Sequence, residues 1–292
     1  MSDPQFWQLV LDALTTLGNH YIPAMDEVAS KMGVDRGTWV LLLSIMSFDP
    51  EPVTAKMLQK RTPCQEFSKR LEETSAQGLL ATVHPNEYVL TETGQELVQQ
   101  IILTAYARME NLNPMRPSDL HYLTVLLRRL VKASHTSPEP PAKWAITHSR
   151  RFDPGENAPL LIQVDQCLSD LAAYHDDAHL AAWGSLGFEG PAWEAYTLIW
   201  REKSISLDNL HKKLHHRRQS RKVYENALRE IVERGLAKSK SGEYYLTPEG
   251  LELRQQAEDK TNEYFLPPWN CLEEEDLQAL GNLLKMLADG LK

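Results

Sequence analysis

The chain carries one pattern of residues twice, once in each half. The segment 89–97, VLTETGQEL, is matched by the segment 245–253, YLTPEGLEL. Further matches keep the same order at separations of 154 to 157 positions. The matching pairs are Gly33 and Gly187, Trp39 and Trp193, Phe67 and Tyr224, Leu71 and Leu228, Gly78 and Gly235, Leu79 and Leu236, and Asp119 and Asp276. Self-similarity at a fixed period is the signature of a repeated structural unit. The sequence therefore predicts two copies of one fold in tandem.

The repeat places the two units at residues 1–134 and 159–292, with a connecting segment at residues 135–158. Each unit is long enough to bury its own core. The connecting segment is rich in proline (Pro138, Pro140 and Pro141), and proline cannot continue a helix because it has no backbone N–H. We therefore expect an extended, semi-rigid linker between the units.

The second unit shows the pattern of a helix-turn-helix followed by a β-hairpin. Apolar residues at helical spacing predict helices at 160–183, 193–200, 205–214 and 223–232, and a last pair after residue 247. Ser206 can cap the third helix and Thr247 the helix after the hairpin, while Gly235 ends the fourth. Two short strands, joined by a turn at Gly242, occupy 236–246. This order of elements predicts a winged helix.

The arrangement resembles the MarR family of winged-helix regulators. Each half contains a Gly-Leu pair before the hairpin, an LT-x-x-G segment after it and a late Leu-rich helix: Gly78–Leu79, 90–94 and 118–127 in the first half, and Gly235–Leu236, 246–250 and 274–284 in the second. MarR proteins are dimers whose N- and C-terminal helices interlock. The resemblance therefore implies a mainly α fold with small β-hairpin wings, in which two winged helix-turn-helix units share a helical core as a monomeric, single-chain pseudo-dimer.

The resemblance also implies a function, which is that of a transcriptional regulator that binds double-stranded DNA. The wing of MarR proteins carries an Asp-x-Arg element whose arginine enters the minor groove, and neither wing of this chain contains that element. We therefore expect an asymmetric DNA site, or contact through one lobe.

MarR proteins often bind small aromatic effectors between the helical core and the lobes. The seven tryptophans are first interpreted as core residues, and second as walls of such a pocket.

Positive charge is concentrated in one segment of the second half. Residues 211–222, HKKLHHRRQSRK, hold six Lys or Arg and no carboxylate, although the net charge of the chain is −9. In a winged helix this segment spans the turn and the start of the recognition helix, where the helix N-terminus also favours phosphate. A charged run is often only a solvated face, but its position here predicts DNA contact. The predicted DNA-binding residues are Lys212, Lys213, Arg217, Arg218, Ser220, Arg221, Lys222, Asn226, Arg229, Lys238 and Lys240, with Lys60, Arg61 and Lys69 in the first half.

The first half lacks a comparable basic surface. Glu66, Glu72 and Glu73 lie at the equivalent of the recognition helix, and the wing at 81–88 has no Lys or Arg. Together with the net negative charge, these features favour an alternative function. In that alternative the chain is a winged-helix module that binds a protein or a small ligand and no longer reads DNA.

Other chemistry finds little support in the sequence. No catalytic or nucleotide-binding motif is present, so we expect neither an enzyme nor a cofactor. His175 and His179 lie one helical turn apart and could ligate a metal, but no third ligand is identifiable and a structural role is the preferred interpretation.

Cys64, Cys167 and Cys271 are expected to be reduced, buried thiols. The sequence has no apolar run of membrane-spanning length and no signal-peptide pattern, so we expect a cytoplasmic protein without membrane contact.

Overall fold

The structure is a computed structural model that describes residues 5–292. The first half folds in the order α1 (Gln5–Lys31), α2 (Arg36–Met46), α3 (Ala55–Gln59), α4 (Ser68–Ala76), β1 (Leu80–His84), β2 (Glu87–Leu90), α5 (Glu92–Glu110) and α6 (Pro117–Thr136). A short helix, α7 (Trp144–Ser149), leads into the second half. That half contains α8 (Leu160–Gly184), α9 (Gly190–Glu202), β3 (Ile205–Ser206), α10 (Leu207–Lys213), α11 (Arg221–Glu233), β4 (Ala237–Lys240), β5 (Glu243–Leu246), α12 (Pro248–Phe265) and α13 (Glu274–Gly290). Each half therefore places four helices before a hairpin and two helices after it.

Local signals in the second half set the ends of its elements. Ser206 accepts a hydrogen bond from the backbone N–H of Asn209 at 3.3 Å and so caps α10. Gly235, just after α11, has a φ of +74°, a left-handed conformation that glycine adopts without steric cost. The predicted helices of this unit are confirmed, with their ends within a few residues of the predicted positions.

Each hairpin has a third strand segment that the sequence pattern does not predict. In the second half β3 pairs antiparallel with β5, with Ile205 opposite Tyr244. In the first half Val53 and Tyr88 form a single antiparallel bridge, with N···O distances of 2.8 and 2.9 Å. One or two residues are too few to show the alternation by which a strand is recognised, so only the folded chain reveals this pairing.

Both halves contribute to one hydrophobic core. α1 packs against α5, and α8 packs in the same way against α12. α6 packs against α8, and α13 packs against α1, so the last helix of each half lies on the first helix of the other. Leu17, Leu127, Leu168 and Trp269 are fully buried in this shared core. A second cluster, around Trp193, belongs to the winged helix of the second half alone.

The LT-x-x-G segment of the first half ties the end of the hairpin to α5. Thr91 Oγ1 donates to the carbonyl oxygen of Gly78 at 2.8 Å and accepts from the N–H of Gly94 at 3.1 Å. A Cβ on Gly94 would lie 2.3 Å from the carbonyl oxygen of Leu79. Only glycine therefore allows α5 to begin this close to the backbone that precedes the hairpin.

The second half contains the same arrangement. Thr247 Oγ1 donates to the carbonyl oxygen of Gly235 at 2.8 Å and accepts from the N–H of Gly250 at 3.1 Å. A Cβ on Gly250 would lie 2.1 Å from the carbonyl oxygen of Leu236. The matching sequence segments thus make matching contacts in the two halves.

We expect Gly94→Ala and Gly250→Ala each to lower the free energy of unfolding by about 1–3 kcal/mol. The added methyl group would meet backbone atoms, which cannot move aside as a flexible side chain can. Denaturant unfolding of the single variants measures this loss. Gly184→Ala is the matched control, because a Cβ at that helical position meets nothing within 4 Å. A Gly250→Ala variant as stable as this control would contradict the close approach.

The connecting segment differs from the extended linker that its prolines predict. After residues 137–143 the chain forms α7, which buries Ala145 and Ile146 completely. The carboxylate of Asp177 on α8 accepts hydrogen bonds from the backbone N–H groups of both residues, at 2.7 and 2.9 Å. The prolines end α6, but apolar burial and this helix cap hold the segment against α8. The segment is therefore a packed part of the fold.

The three cysteines are free thiols, but they are not all buried. Cys167 is buried and Cys64 is half-buried, whereas Cys271 is exposed. This corrects the expectation for Cys271, which is the exposed last residue of a 3₁₀ turn, Pro267–Cys271, between α12 and α13. Within residues 5–292, no helix combines the length and the apolar character needed to cross a membrane.

Candidate nucleic-acid interface

The helix-turn-helix of the second half consists of α10, a turn at 214–220 and α11. Ser220 caps α11 by accepting from the N–H of Val223 at 3.3 Å. Tyr224, Ala227, Leu228 and Ile231 on one side of α11 are buried in the winged-helix core. Lys222, Asn226 and Arg229 lie on the opposite side and are exposed, as their spacing along the helix predicts.

Several of the other predicted DNA-binding residues are exposed around this helix. Lys212, Lys238 and Lys240 make no ion pair with any residue of the 5–292 range. Four more exposed side chains have surface partners: Lys213 with Glu202 at 3.2 Å, Arg221 with Asp208 at 2.8 Å, Lys222 with Glu225 at 3.0 Å, and Arg229 with Asn226. Exposed pairs of this kind contribute about 0–1 kcal/mol. A phosphate group can therefore displace these partners at little cost.

Arg217 and Arg218 differ from the other members of the predicted set. Arg217 Nε donates to Glu194 at 2.6 Å, and its side chain is only 28% exposed. Arg218 pairs with Glu73 of the first half and has a φ of +58°, a left-handed conformation that is costly for a residue with a side chain. Both guanidinium groups hold the turn in place, so neither is free to meet a phosphate in this arrangement. Their role in DNA binding stays a prediction.

The turn of the second half docks onto the equivalent turn of the first. The backbone N–H of Glu66 donates to the carbonyl oxygen of Arg217 at 3.0 Å, and Gln219 Nε2 donates to the carbonyl oxygen of Cys64 at 3.1 Å. The hydrogen bond from Arg218 lowers the pKa of Glu73. The first turns of α4 and α11 therefore lie beside each other.

This docking limits how the two halves could meet DNA. Paired helix-turn-helix units read half-sites whose centres lie one helical turn of DNA apart, about 34 Å. In this chain the turns before α4 and α11 share a backbone hydrogen bond. The two helices therefore begin too close together to enter two successive major grooves. The arrangement is instead compatible with contact through the second half alone.

Two of the three predicted cations of the first half lie near carboxylates. Lys60 is exposed at the end of α3, while Arg61 pairs with Asp176 at 2.9 Å. Lys69 lies 3.8 Å from Glu73. The structure therefore leaves a smaller free positive surface here than in the second half, as the acidic residues of α4 predict.

His175 and His179 have structural partners on the inner face of α8. His175 stacks on Trp7, with 4.0 Å between ring centroids. His179 Nε2 accepts from Trp193 Nε1 at 3.3 Å, and its Nδ1 lies 3.3 Å from Thr261 Oγ1. Burial lowers the pKa of each histidine to about 4. Among the described residues 5–292, no group of three or more His, Cys, Asp or Glu is placed to hold a metal.

A cleft of about 660 Å³ lies where the two halves meet. Its walls come from the 61–64 turn of the first half, from α8 and α9, and from the end of the α10 region. Trp183 and Trp193 stack in one wall, with 5.4 Å between ring centroids and 8° between planes. The volume falls within the range of small-molecule sites, roughly 300–1,000 Å³. Two of the tryptophans that the sequence offers as walls of a pocket, Trp183 and Trp193, line this cleft. The sequence does not indicate its other walls, because they come from residues far apart in the chain.

A helix-turn-helix family model matches residues 173–291, from the middle of α8 to the end of α13, a range that includes α10, α11 and the wing. No curated protein and no solved structure matches the chain. The second half of the chain therefore carries a helix-turn-helix domain, a class of domain that places its second helix in the major groove of DNA.

Proposed function

We propose that the protein is a DNA-binding transcriptional regulator that contacts double-stranded DNA mainly through its second half. The observation that carries the proposal is the exposed side of α11, with Lys222, Asn226 and Arg229, next to Lys238 and Lys240 of the wing. These donors and charges suit base edges and phosphates. They lie in the half that the helix-turn-helix family model matches.

The proposal includes a MarR-like pseudo-dimer within one chain. Reciprocal packing supports it, because α6 lies on α8 as α13 lies on α1, and α1 lies on α5 as α8 lies on α12. Equivalent hydrogen bonds of Thr91 and Thr247 in the two LT-x-x-G segments support it as well. A duplicated chain can change one lobe without the other, whereas the lobes of a homodimer stay identical. We therefore attribute most phosphate contacts to the second lobe.

The test compares charge reversal in the two lobes. We expect Lys222→Glu with Arg229→Glu to weaken duplex binding at least about tenfold, and to reduce the slope of log affinity against log salt by about 2, since each lost phosphate contact changes that slope by about 1. Lys60→Glu with Lys69→Glu in the first half is the matched control and should leave both quantities nearly unchanged. Electrophoretic shifts of duplex DNA at several salt concentrations measure them.

Two results would contradict this assignment. Equal losses from the two pairs of variants would mean that both lobes touch DNA. No binding of duplex by the wild-type chain at low salt would favour the alternative function, a winged-helix module for a protein or ligand. The internal use of Arg217 and Arg218 is the specific observation in favour of that alternative.

We further propose that the cleft between the halves is the site of a small aromatic effector. The stacked rings of Trp183 and Trp193 offer an aromatic wall. The cleft also borders the docked turns, since Cys64 and Arg217 both line it. An effector bound there would lie next to the contacts that hold the two recognition helices together.

A further inference from the structure

Arg70 of the first half is a buried cation for which the fold supplies no acceptor. The residue lies on the inner side of α4 with Leu71 and Thr74, and only 9% of its surface is exposed. No residue of the 5–292 range accepts a hydrogen bond from its guanidinium or forms an ion pair with it, and its Nε is closed off from solvent. Charged side chains are almost never buried without a partner. Arg70 therefore points to an anion as its partner.

The guanidinium of Arg70 lies against the first turn of α2. A Cβ on Gly37, the second residue of α2, would overlap Nη1 and Nη2 of Arg70, so glycine is what lets the cation come this close. The backbone N–H groups of Arg36 and Gly37 have no acceptor among the described residues, as is usual at the start of a helix. A helix N-terminus also carries partial positive charge. Free donors of two kinds thus meet at one place.

The carboxylates that attract Arg70 are engaged with other groups. Asp35 accepts from the N–H of Thr38 at 2.7 Å, and Glu73 pairs with Arg218. Burial and the positive charge of Arg218 lower the pKa of Arg70, and the attraction of Asp35 and Glu73 does not offset them. The charges of the protein therefore leave this guanidinium poorly neutralised.

The second half has no equivalent of this arrangement. At the separations of 154 and 157 positions that relate the two halves, Gly37 corresponds to Pro191 and Arg70 to Ala227. Ala227 is a buried, uncharged residue of α11, and Pro191 has no backbone N–H to donate. The halves therefore differ both in the cation and in the residue that makes room for it.

We propose that the start of α2 is a binding site for a phosphate-sized oxyanion, held by Arg70 and by the backbone N–H groups of Arg36 and Gly37. A guanidinium offers pairs of donors that match phosphate oxygens, and a helix N-terminus favours the same charge. Asp35 and Arg36 are exposed, so the site opens to solvent. The oxyanion is either a free inorganic ion or a backbone phosphate of nucleic acid. Arg70 is not among the predicted DNA-binding residues, so the site goes beyond the proposed function and does not depend on it.

The test follows urea unfolding of the full-length protein in rising inorganic phosphate, with chloride balancing the ionic strength and no DNA present. A ligand that binds the folded chain alone raises the unfolding midpoint as its concentration rises. We expect Arg70→Met, which removes the donors, to weaken the apparent affinity for phosphate at least about tenfold, the factor expected for lost hydrogen bonds to a charged group.

Arg116→Met is the matched control, because Arg116 is well exposed and pairs with Asp119 at the surface. Phosphate also stabilises folded proteins in general, because it is excluded from their surface. All variants share that general effect, so the control should titrate like the wild type.

Gly37→Ala tests the same site without removing Arg70. The new methyl group would displace the end of a flexible side chain, while alanine favours a helix more than glycine does. We expect this variant to be at least as stable as the wild type in chloride and to lose the phosphate response as Arg70→Met does.

Duplex binding distinguishes the two sources of phosphate. If the site takes a backbone phosphate of DNA, Arg70→Met reduces the slope of log affinity against log salt by about 1. If it takes a free ion, that slope stays unchanged and only the response to inorganic phosphate is lost. Either result supports the site, which is overturned if Arg70→Met and Gly37→Ala match the wild type in both assays.

The site and the DNA proposal can fail separately. If the wild-type protein responds to phosphate through Arg70 and shifts no duplex, the site stands and the DNA proposal fails. If the duplex is shifted and both variants match the wild type throughout, the DNA proposal stands and the site fails.

Discussion

Replacing Trp269 with alanine should lower the free energy of unfolding by about 3–5 kcal/mol and should destabilise both halves together. Trp269 belongs to the second half, but it has no exposed surface and packs in the core that the halves share. Its ring centroid lies 5.4 Å from that of Phe6 on α1 and 5.8 Å from that of Phe265 on α12. Alanine would leave a cavity between helices of both halves. Native-state hydrogen exchange of α5 and α12 would measure the two halves separately.

Trp269→Phe is the matched control for this prediction. It keeps most of the ring and removes an indole N–H that has no hydrogen-bond partner, so we expect a loss below about 1.5 kcal/mol. Faster exchange in α12 with unchanged exchange in α5 would mean that the halves unfold independently. That result would contradict a shared core.

The second large effect concerns Asp165 on α8, a half-buried carboxylate that faces Tyr21 of α1. Burial raises its pKa from 3.8 to about 7, although the hydroxyl of Tyr21 donates to it at 3.0 Å. The folded chain thus binds this proton more tightly than the unfolded chain does. Protonation of Asp165 therefore contributes to the free energy of unfolding. This contribution is fully present below about pH 4 and is lost as the pH rises through about 7. Above that pH the fold holds a half-buried charge at a cost of at most about 4 kcal/mol.

We therefore expect Asp165→Asn to make the protein more stable at about pH 8 by up to about 4 kcal/mol, and to leave stability near pH 4 almost unchanged. Asparagine has no charge to bury and can still accept the hydrogen bond from Tyr21. Denaturant unfolding at both pH values measures the difference. Asp289→Asn is the control, since Asp289 is exposed and should change stability by less than about 0.5 kcal/mol. If Asp165→Asn is less stable than the wild type at pH 8, the ionised carboxylate stabilises the fold, and the prediction is wrong.

Much of the helix-turn-helix half could be predicted from the sequence because its signals act over a few residues. The hydroxyl of Ser206 reaches the N–H three positions later, and Gly235 supplies a positive φ at the end of α11. The apolar side of α11 follows from the spacing of Tyr224, Leu228 and Ile231. Such patterns depend on the geometry of a single element, so they can be recognised without knowledge of the rest of the fold.

The DNA-binding residues stay a prediction, and the sequence alone cannot tell which of them are available, because the availability of a charge depends on distant residues. Lys222 and Arg229 are exposed on α11 as predicted. Arg217 and Arg218 look equally available in the sequence, since the 211–222 segment contains no carboxylate. Their partners, Glu194 and Glu73, lie 23 and 145 positions away in the chain. No local pattern indicates that these carboxylates come so close.

The sequence by itself determined the repeated order of elements, the ends of the second-half helices and the side of α11 that faces solvent, because short-range hydrogen bonds and helical periodicity specify them. The tertiary structure alone decided that the connecting segment packs as a helix, that the two turns dock and that a cleft lies beside them. Each of these depends on the burial and pairing of groups that are distant in the chain. Two halves with matching patterns thereby acquire different surfaces, since the docked turns use the charges of Arg217 and Arg218 internally, whereas Lys222, Asn226 and Arg229 on α11 stay exposed.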